Sequence, residues 1–236
     1  MNCFFRMNIL FVIAVICGHL TATAQQAIGI KSFSLPVQPV FQGEQITLEQ
    51  PLRTTDGDSL VLHTLRFYLS NFVFLKNGAV VFSEKNSCHL LDLEDEKSLL
   101  LNFQLPQTAD FDTLQFDFGV DSATTASGAM GGDLDPTRGM FWTWQSGYIH
   151  FKIEGFALKN PARNHTFQFH LGGYLPPFQT LQTVKTGRPQ NHTHLQLDLF
   201  TFFETINWSK KPGIMSPCRE AVELSEVLAK SFLLHD

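Results

Sequence analysis

The stretch Leu60-Val61-Leu62-His63-Thr64-Leu65-Arg66-Phe67-Tyr68-Leu69-Ser70-Asn71-Phe72-Val73-Phe74-Leu75-Lys76-Asn77-Gly78-Ala79-Val80-Val81-Phe82 decides the fold. Two apolar segments rich in β-branched and aromatic residues flank Lys76-Asn77-Gly78, and Asn-Gly suits a tight turn that requires positive φ. A β-hairpin is predicted. Downstream, Thr113-Leu114-Gln115-Phe116-Asp117-Phe118 places apolar side chains at every second position, the period of a strand with one buried face. The 23 phenylalanines recur in such short alternating segments rather than at helical spacing. Further strands are expected over residues 148–158, 166–171, 181–185 and 192–200, with turns at Asn160-Pro161, Gly172-Gly173 and Pro176-Pro177. Only the end of the chain reads as a helix: Ser216 as cap, Pro217 at the first position, and Ala221, Leu224, Leu228 and Phe232 on one stripe. The pattern predicts an all-β chain, an antiparallel β-sandwich with long loops and a C-terminal α-helix.

Outside this core, Arg6 precedes the apolar run Ile9 to Cys17, and Ala22-Thr23-Ala24 forms an A-x-A cleavage site. Residues 1–24 are expected to be a signal peptide and residues 25–236 one domain. The apolar run is shorter than the about 20 residues a transmembrane helix needs, and no later stretch approaches that length. Lipid attachment at Cys17 is disfavoured by the bulky Ile16 just before it. A periplasmic or extracellular location follows. The net charge of −5, with no basic face, argues against nucleic acid. Of four cysteines, Cys88 and Cys218 remain after cleavage; an oxidising compartment permits a disulfide, and two separate thiols are an equal alternative. The Asn-x-Ser/Thr patterns at Asn164, Asn191 and Asn207 matter only in a eukaryotic source.

The chain carries no phosphate-binding Gly-rich loop, no His-Glu-x-x-His, no Cys-x-x-Cys and no nucleophile elbow, so the common enzyme classes lose support and a non-catalytic role is expected. The loop 120–139 is longer than most connections in compact domains. Its neighbouring aspartates Asp117, Asp121, Asp133 and Asp135 offer oxygen ligands for Ca²⁺, but their spacing is equally ordinary turn chemistry. Among the internal histidines, His192-Thr193-His194 has the i, i+2 spacing of a chelating pair on a strand, or of a solvated polar face. His170 shares a predicted strand face with Thr166 and Gln168, ahead of a double glycine that lets backbone or ligand come close. His150 shares one with Tyr148, Lys152 and Glu154. Trp142 and Trp144 flank Thr143, which puts two indoles on one side of an extended chain, as packing anchors or as a ligand platform.

Several segments together carry a resemblance. Gly131-Gly132-Asp133-Leu134-Asp135-Pro136, the aromatic run Gly139-Met140-Phe141-Trp142-Thr143-Trp144-Gln145-Ser146-Gly147-Tyr148, Lys152-Ile153-Glu154-Gly155, Phe169-His170-Leu171-Gly172 and Arg66-Phe67-Tyr68-Leu69-Ser70-Asn71 resemble the MbnP family of exported copper-binding proteins. The resemblance implies a β-sandwich that holds Cu(I) with histidines and with kynurenine, a product of tryptophan oxidation, made by a dihaem partner of the cytochrome c peroxidase type. It implies a role in copper acquisition or storage. On this chain it points to Trp142 or Trp144 as the oxidised residue, His170 as a metal ligand and His150 as the second. The alternative is a metal-free extracellular binding or structural β-sandwich module.

Overall fold

The computed structural model describes residues 29–55, 57, 59–144, 147–187, 194–208 and 212–235. The segment expected to be a signal peptide, Gln145-Ser146 of the aromatic run, and Asn191, His192 and Thr193 lie outside them. In chain order the elements are β1 (Ile30–Phe41), β2 (Glu44–Gln45), β3 (Pro51–Arg53), β4 (Ser59–Lys76), β5 (Ala79–Ser83), β6 (Cys88–Asp92), β7 (Leu100–Pro106), β8 (Thr113–Phe118), α1 (Ser122–Ala126), β9 (Phe141–Trp142), β10 (Gly147–Ala157), β11 (Thr166–Gly172), β12 (Gln182–Thr186), β13 (His194–Asp198), α2 (Phe200–Thr205), α3 (Arg219–Lys230) and β14 (Phe232–His235).

The decisive hairpin is β4 and β5, and Asn77 and Gly78 at its tip have φ of 49° and 81°, the left-handed values that Asn-Gly supplies at little cost. β4 is the spine of a nine-stranded sheet ordered β11-β10-β4-β8-β12, with β3, β5 and β6 also paired to β4 and β9 to β10. A five-stranded sheet runs β14-β13-β1-β2, with β7 on β1. Every pairing of these strands is antiparallel except that of β1 with β13. β1 changes partner at Pro36: Ile30 to Pro36 pairs with β7, and Val37 to Val40 pairs with β13. Two prolines in β1 obscured it as a strand.

The two sheets face one another across a phenylalanine-rich core, the β-sandwich expected of alternating short strands. Phe72 and Phe74 from β4 pack on Phe103 from β7 with ring centres 5.0 and 5.2 Å apart. Phe118 of β8 meets Phe232 of β14 at 5.5 Å. Aromatic contacts of this kind contribute about 0.5–1.5 kcal/mol each beyond the area they bury.

Helix α3 buries Ala221, Leu224 and Leu228 as the stripe predicts, together with Ser225. It begins later than expected, behind Cys218 in extended conformation, and Phe232 lies beyond it in β14. The strand expected over 192–200 stops at Asp198, and α2 follows, turning Phe202 onto Phe151 and Phe169 at 5.6 and 5.7 Å. Helix α1 within the long loop was also not predicted. Its five residues carry no apolar periodicity, and it is held by Asp121, whose carboxylate accepts from Thr124 N at 2.8 Å.

Candidate functional site

Alternation fails in the middle of β4 and at the start of β10. Phe67, Tyr68, Leu69 and Ser70 are all buried, and so are Gly147 to Phe151. Both faces are covered there because the chain from Val120 to Trp142 folds back over the outer side of the nine-stranded sheet. It makes a second, smaller core of Tyr68, Leu90, Val120, Leu134, Met140, Trp142, Tyr148 and Ile149. Two tyrosines pin the loop: Tyr68 Oη donates to Asp133 O at 2.8 Å, and Tyr148 Oη donates to Leu134 O at 3.0 Å and accepts from Met130 N at 3.1 Å. Burial pushes the Tyr68 phenol up, so it stays a donor at any physiological pH.

The four aspartates considered for Ca²⁺ instead bind the protein's own donors. Asp117 accepts from Asn71 Nδ2 and Thr183 Oγ1, Asp121 caps α1, Asp133 accepts from Leu90 N, and Asp135 accepts from Thr137 N.

Trp142 is 6% exposed and Trp144 is 65% exposed, with ring centres 5.8 Å apart. The pair is adjacent, as its spacing predicts, but only Trp142 is an anchor. Its ring presses on β11, where a Cβ on Gly172 would sit 2.9 Å from Trp142 Cζ3, and only glycine allows that approach. Trp142 Nε1 is buried without a hydrogen-bond partner. Trp142 also lines a cleft of about 220 Å³ together with Tyr148, Tyr174, Pro176 and Phe178.

His150 stands where the register of β10 with β11 shifts, between Ile149 opposite Gly172 and Phe151 opposite Leu171. The irregularity removes it from the polar face that alternation assigns it, and it is 1% exposed. Its Nδ1 is 2.9 Å from Thr180 Oγ1, and Thr180 N donates to Gly173 O, so the Gly172-Gly173 bend adjoins both the imidazole's support and Trp142. Gly119, with φ +120°, lies so close that a Cβ would be 2.6 Å from His150 Nδ1. Desolvation lowers the His150 pKa to about 4, opposed by the Asp121 charge, so the ring is neutral. The Thr180 hydroxyl also donates to Gly173 O at 3.5 Å, which leaves its oxygen to accept from Nδ1–H and puts the lone pair on Nε2, an atom that is buried with no partner. Such an orphan costs about 1–3 kcal/mol.

His170 lies on the outer face of β11, with Phe167, Phe169 and Leu171 on the inner one as predicted. It is 5% exposed, and its Nε2–H donates to Glu154 Oε1 at 2.6 Å. This hydrogen bond, the leading favourable cause, holds Glu154 below the usual carboxylate range, with Lys152 Nζ 3.5 Å away adding to it. Opposite His170 across the ladder stands Lys152, then Arg66, then Asp92, a polar row over four strands closed by the 2.8 Å Arg66–Asp92 ion pair.

Among the described residues no three His, Cys, Asp or Glu side chains gather as a metal cage would require. The arrangement supplies two buried imidazoles, a buried indole and an exposed one. Thr180 and Gly119, which fix His150, carried no sequence signal beyond a glycine ending a strand. Cys88 and Cys218 are separate, half-buried thiols.

A family model described as MbnP matches residues 30–216. No curated protein matches the chain by sequence. Among solved structures, MbnP from Methylosinus trichosporium is similar with a TM-score of 0.63 and 18% identity, over 83% of this chain and 88% of that one, which is a likeness of fold. On the strength of the family match across most of its length, this chain belongs to the MbnP family.

Proposed function

We propose that this protein is exported to the periplasm or the cell exterior and there binds copper without catalysing a reaction, serving copper acquisition or storage. The observation that carries the reading is His150 Nε2: a buried ring nitrogen with no hydrogen-bond partner, on an imidazole whose other nitrogen is held 2.9 Å from Thr180 Oγ1. That is the donor a soft, low-coordinate Cu(I) ion favours, and imidazole suits it. His170 is the second ligand, its ring oriented by Glu154 as metal-binding histidines are oriented by carboxylates.

The residues present fit the metal in donor type. An intact indole N–H only donates hydrogen bonds, so Trp142 contributes no ligand as it stands. Oxidative cleavage of the indole C2–C3 bond, which adds two oxygen atoms, followed by hydrolytic loss of C2 as formate would give kynurenine with a free aryl amine and its lone pair, and a dihaem partner of the cytochrome c peroxidase type, using peroxide as oxidant, would supply the oxidative step. Trp144, exposed and 5.8 Å from Trp142, is the ring such a partner would meet first.

The second reading is a metal-free extracellular binding or structural module, favoured by the close packing of Trp142 on Gly172 and by the lack of a three-ligand cluster among the described residues. Metal analysis with intact mass, on protein isolated alongside its native partner, separates the two. Near-stoichiometric copper, lost on His170→Ala and on His150→Ala, supports the first reading. Background copper in wild type and variants alike sinks it.

A further inference from the structure

Most described histidines are tied to a specific acceptor or donor elsewhere in the fold: His63 to Glu49, His89 to Glu84, His150 to Thr180, His165 to Asn160 O and His170 to Glu154. Two are arranged differently. His194 opens β13, and the register of the β13–β14 ladder sets His235 directly opposite it. The two imidazoles face each other with ring centres 5.7 Å apart and planes 24° from parallel. Directly opposed residues on one face of an antiparallel pair keep their side chains within reach of each other. His235 is exposed and His194 half-buried, so both rings meet solvent. The Gln196 side-chain amide, on the same strand face as His194, lies 3.0 Å from His194 Nε2.

We propose that His194 and His235, with Gln196 beside them, form a surface site for a divalent late first-row transition-metal ion, separate from the buried His150 and His170. A metal binds in the plane of each imidazole, so the near-parallel rings chelate one ion only after turning about their side-chain torsions to converge their nitrogens, which their solvent exposure and their directly opposed positions on the ladder allow. Neutral imidazole suits Ni(II), Cu(II) and Zn(II), with affinity rising from Ni(II) to Cu(II) and falling again at Zn(II). Turned about its amide, Gln196 presents Oε1 as the third protein donor after the two ring nitrogens, and water completes the shell. β14 lies at the edge of the five-stranded sheet, so a bound ion clamps that edge strand to β13. Affinity falls with acid, because metal and proton compete for the same nitrogens.

This site does not depend on the copper reading. Titration of the full chain with zinc chloride and nickel chloride, followed by calorimetry and by hydrogen exchange at Leu233 and Leu234, is expected to give one equivalent bound and slowed exchange in β14. His235→Gln and His194→Gln should each weaken binding by at least about tenfold. His170→Ala should leave zinc binding intact, and His235→Gln should leave the copper content of partner-isolated protein intact, so each proposal can fail alone. No uptake at about 1 mM metal overturns the site. So does wild-type affinity in His235→Gln, or loss of binding in His192→Gln with none in His235→Gln, which would assign the metal to the local His192 and His194 pair.

Discussion

Replacing Gly119 by alanine tests whether His150 is held by close packing. At φ +120° a non-glycine residue is strained by about 1–3 kcal/mol wherever it occurs. The added Cβ would also lie 2.6 Å from His150 Nδ1 and 2.8 Å from Cγ, distances that force the ring aside. Pushing the ring off Thr180 loses one hydrogen bond and overpacks a site that is 1% exposed, adding about 2 kcal/mol. The single variant should therefore lose about 3–5 kcal/mol. In a His150→Ala background the steric part has no target, and only the backbone part should remain. Urea unfolding of wild type, both single variants and the double variant, compared at matched m-values, gives the coupling energy. About 2 kcal/mol of coupling is expected, from the packing estimate above. Additivity within about 0.5 kcal/mol would refute the close approach as the device that sets the imidazole.

In the metal-free protein His150 also fixes a pH dependence. Its pKa is about 4 in the folded state against 6.5 unfolded, so below 6.5 the unfolded chain binds a proton that the native chain refuses. Stability from this group is complete above pH 6.5 and declines as pH falls towards 4, by about 3 kcal/mol in all. His150→Gln should flatten that part of the stability curve measured by urea midpoints; an unchanged slope would count against it. Desolvation, with the charges of Asp121, Asp133 and Asp117, raises the Cys88 thiol from 9.0 to about 12. Native Cys88 should alkylate about a thousandfold more slowly than in unfolded chain, as its thiolate fraction dictates, and both thiols should titrate once the chain is unfolded. Rapid native labelling at Cys88 would contradict this.

The strands that alternate on one face could be read from residue types alone. Thr113 to Phe118 buries every second side chain, and Asn77-Gly78 takes the turn it was expected to take. What could not be read depends on what covers the other face. β10 is legible as a strand over 148–158, but Tyr148 and His150 read as part of its polar face with Lys152 and Glu154 until the loop 120–142 is laid over the sheet, and in the structure Tyr148, Ile149 and His150 are all interior. Likewise, Pro36 and Pro39 hid β1, because prolines mark strand ends until a change of partner is known. The strand expected to reach Phe200 ends at Asp198, because Phe202 and Phe203 reach the core from a helical turn instead. At the candidate site, residue type and spacing left Trp142 and Trp144 as packing anchors or a ligand platform and His150 and His170 as members of polar strand faces, and the resemblance to the MbnP family is what singled them out. The orientation of His150 comes from Thr180 and Gly119, thirty residues away on either side, and no local pattern encodes that.

The smaller core behind the nine-stranded sheet has a consequence for how the molecule assembles and diversifies. Its aromatic and aliphatic members rest on strands already committed to the main core, so it gains nothing by forming before the sheet does. The layer from Val120 to Trp142 is therefore expected to condense last and to open first, as a unit of its own with the sandwich intact. A layer with that independence can be recut by mutation, including the tryptophans it carries, without disturbing the phenylalanine interior on which folding depends.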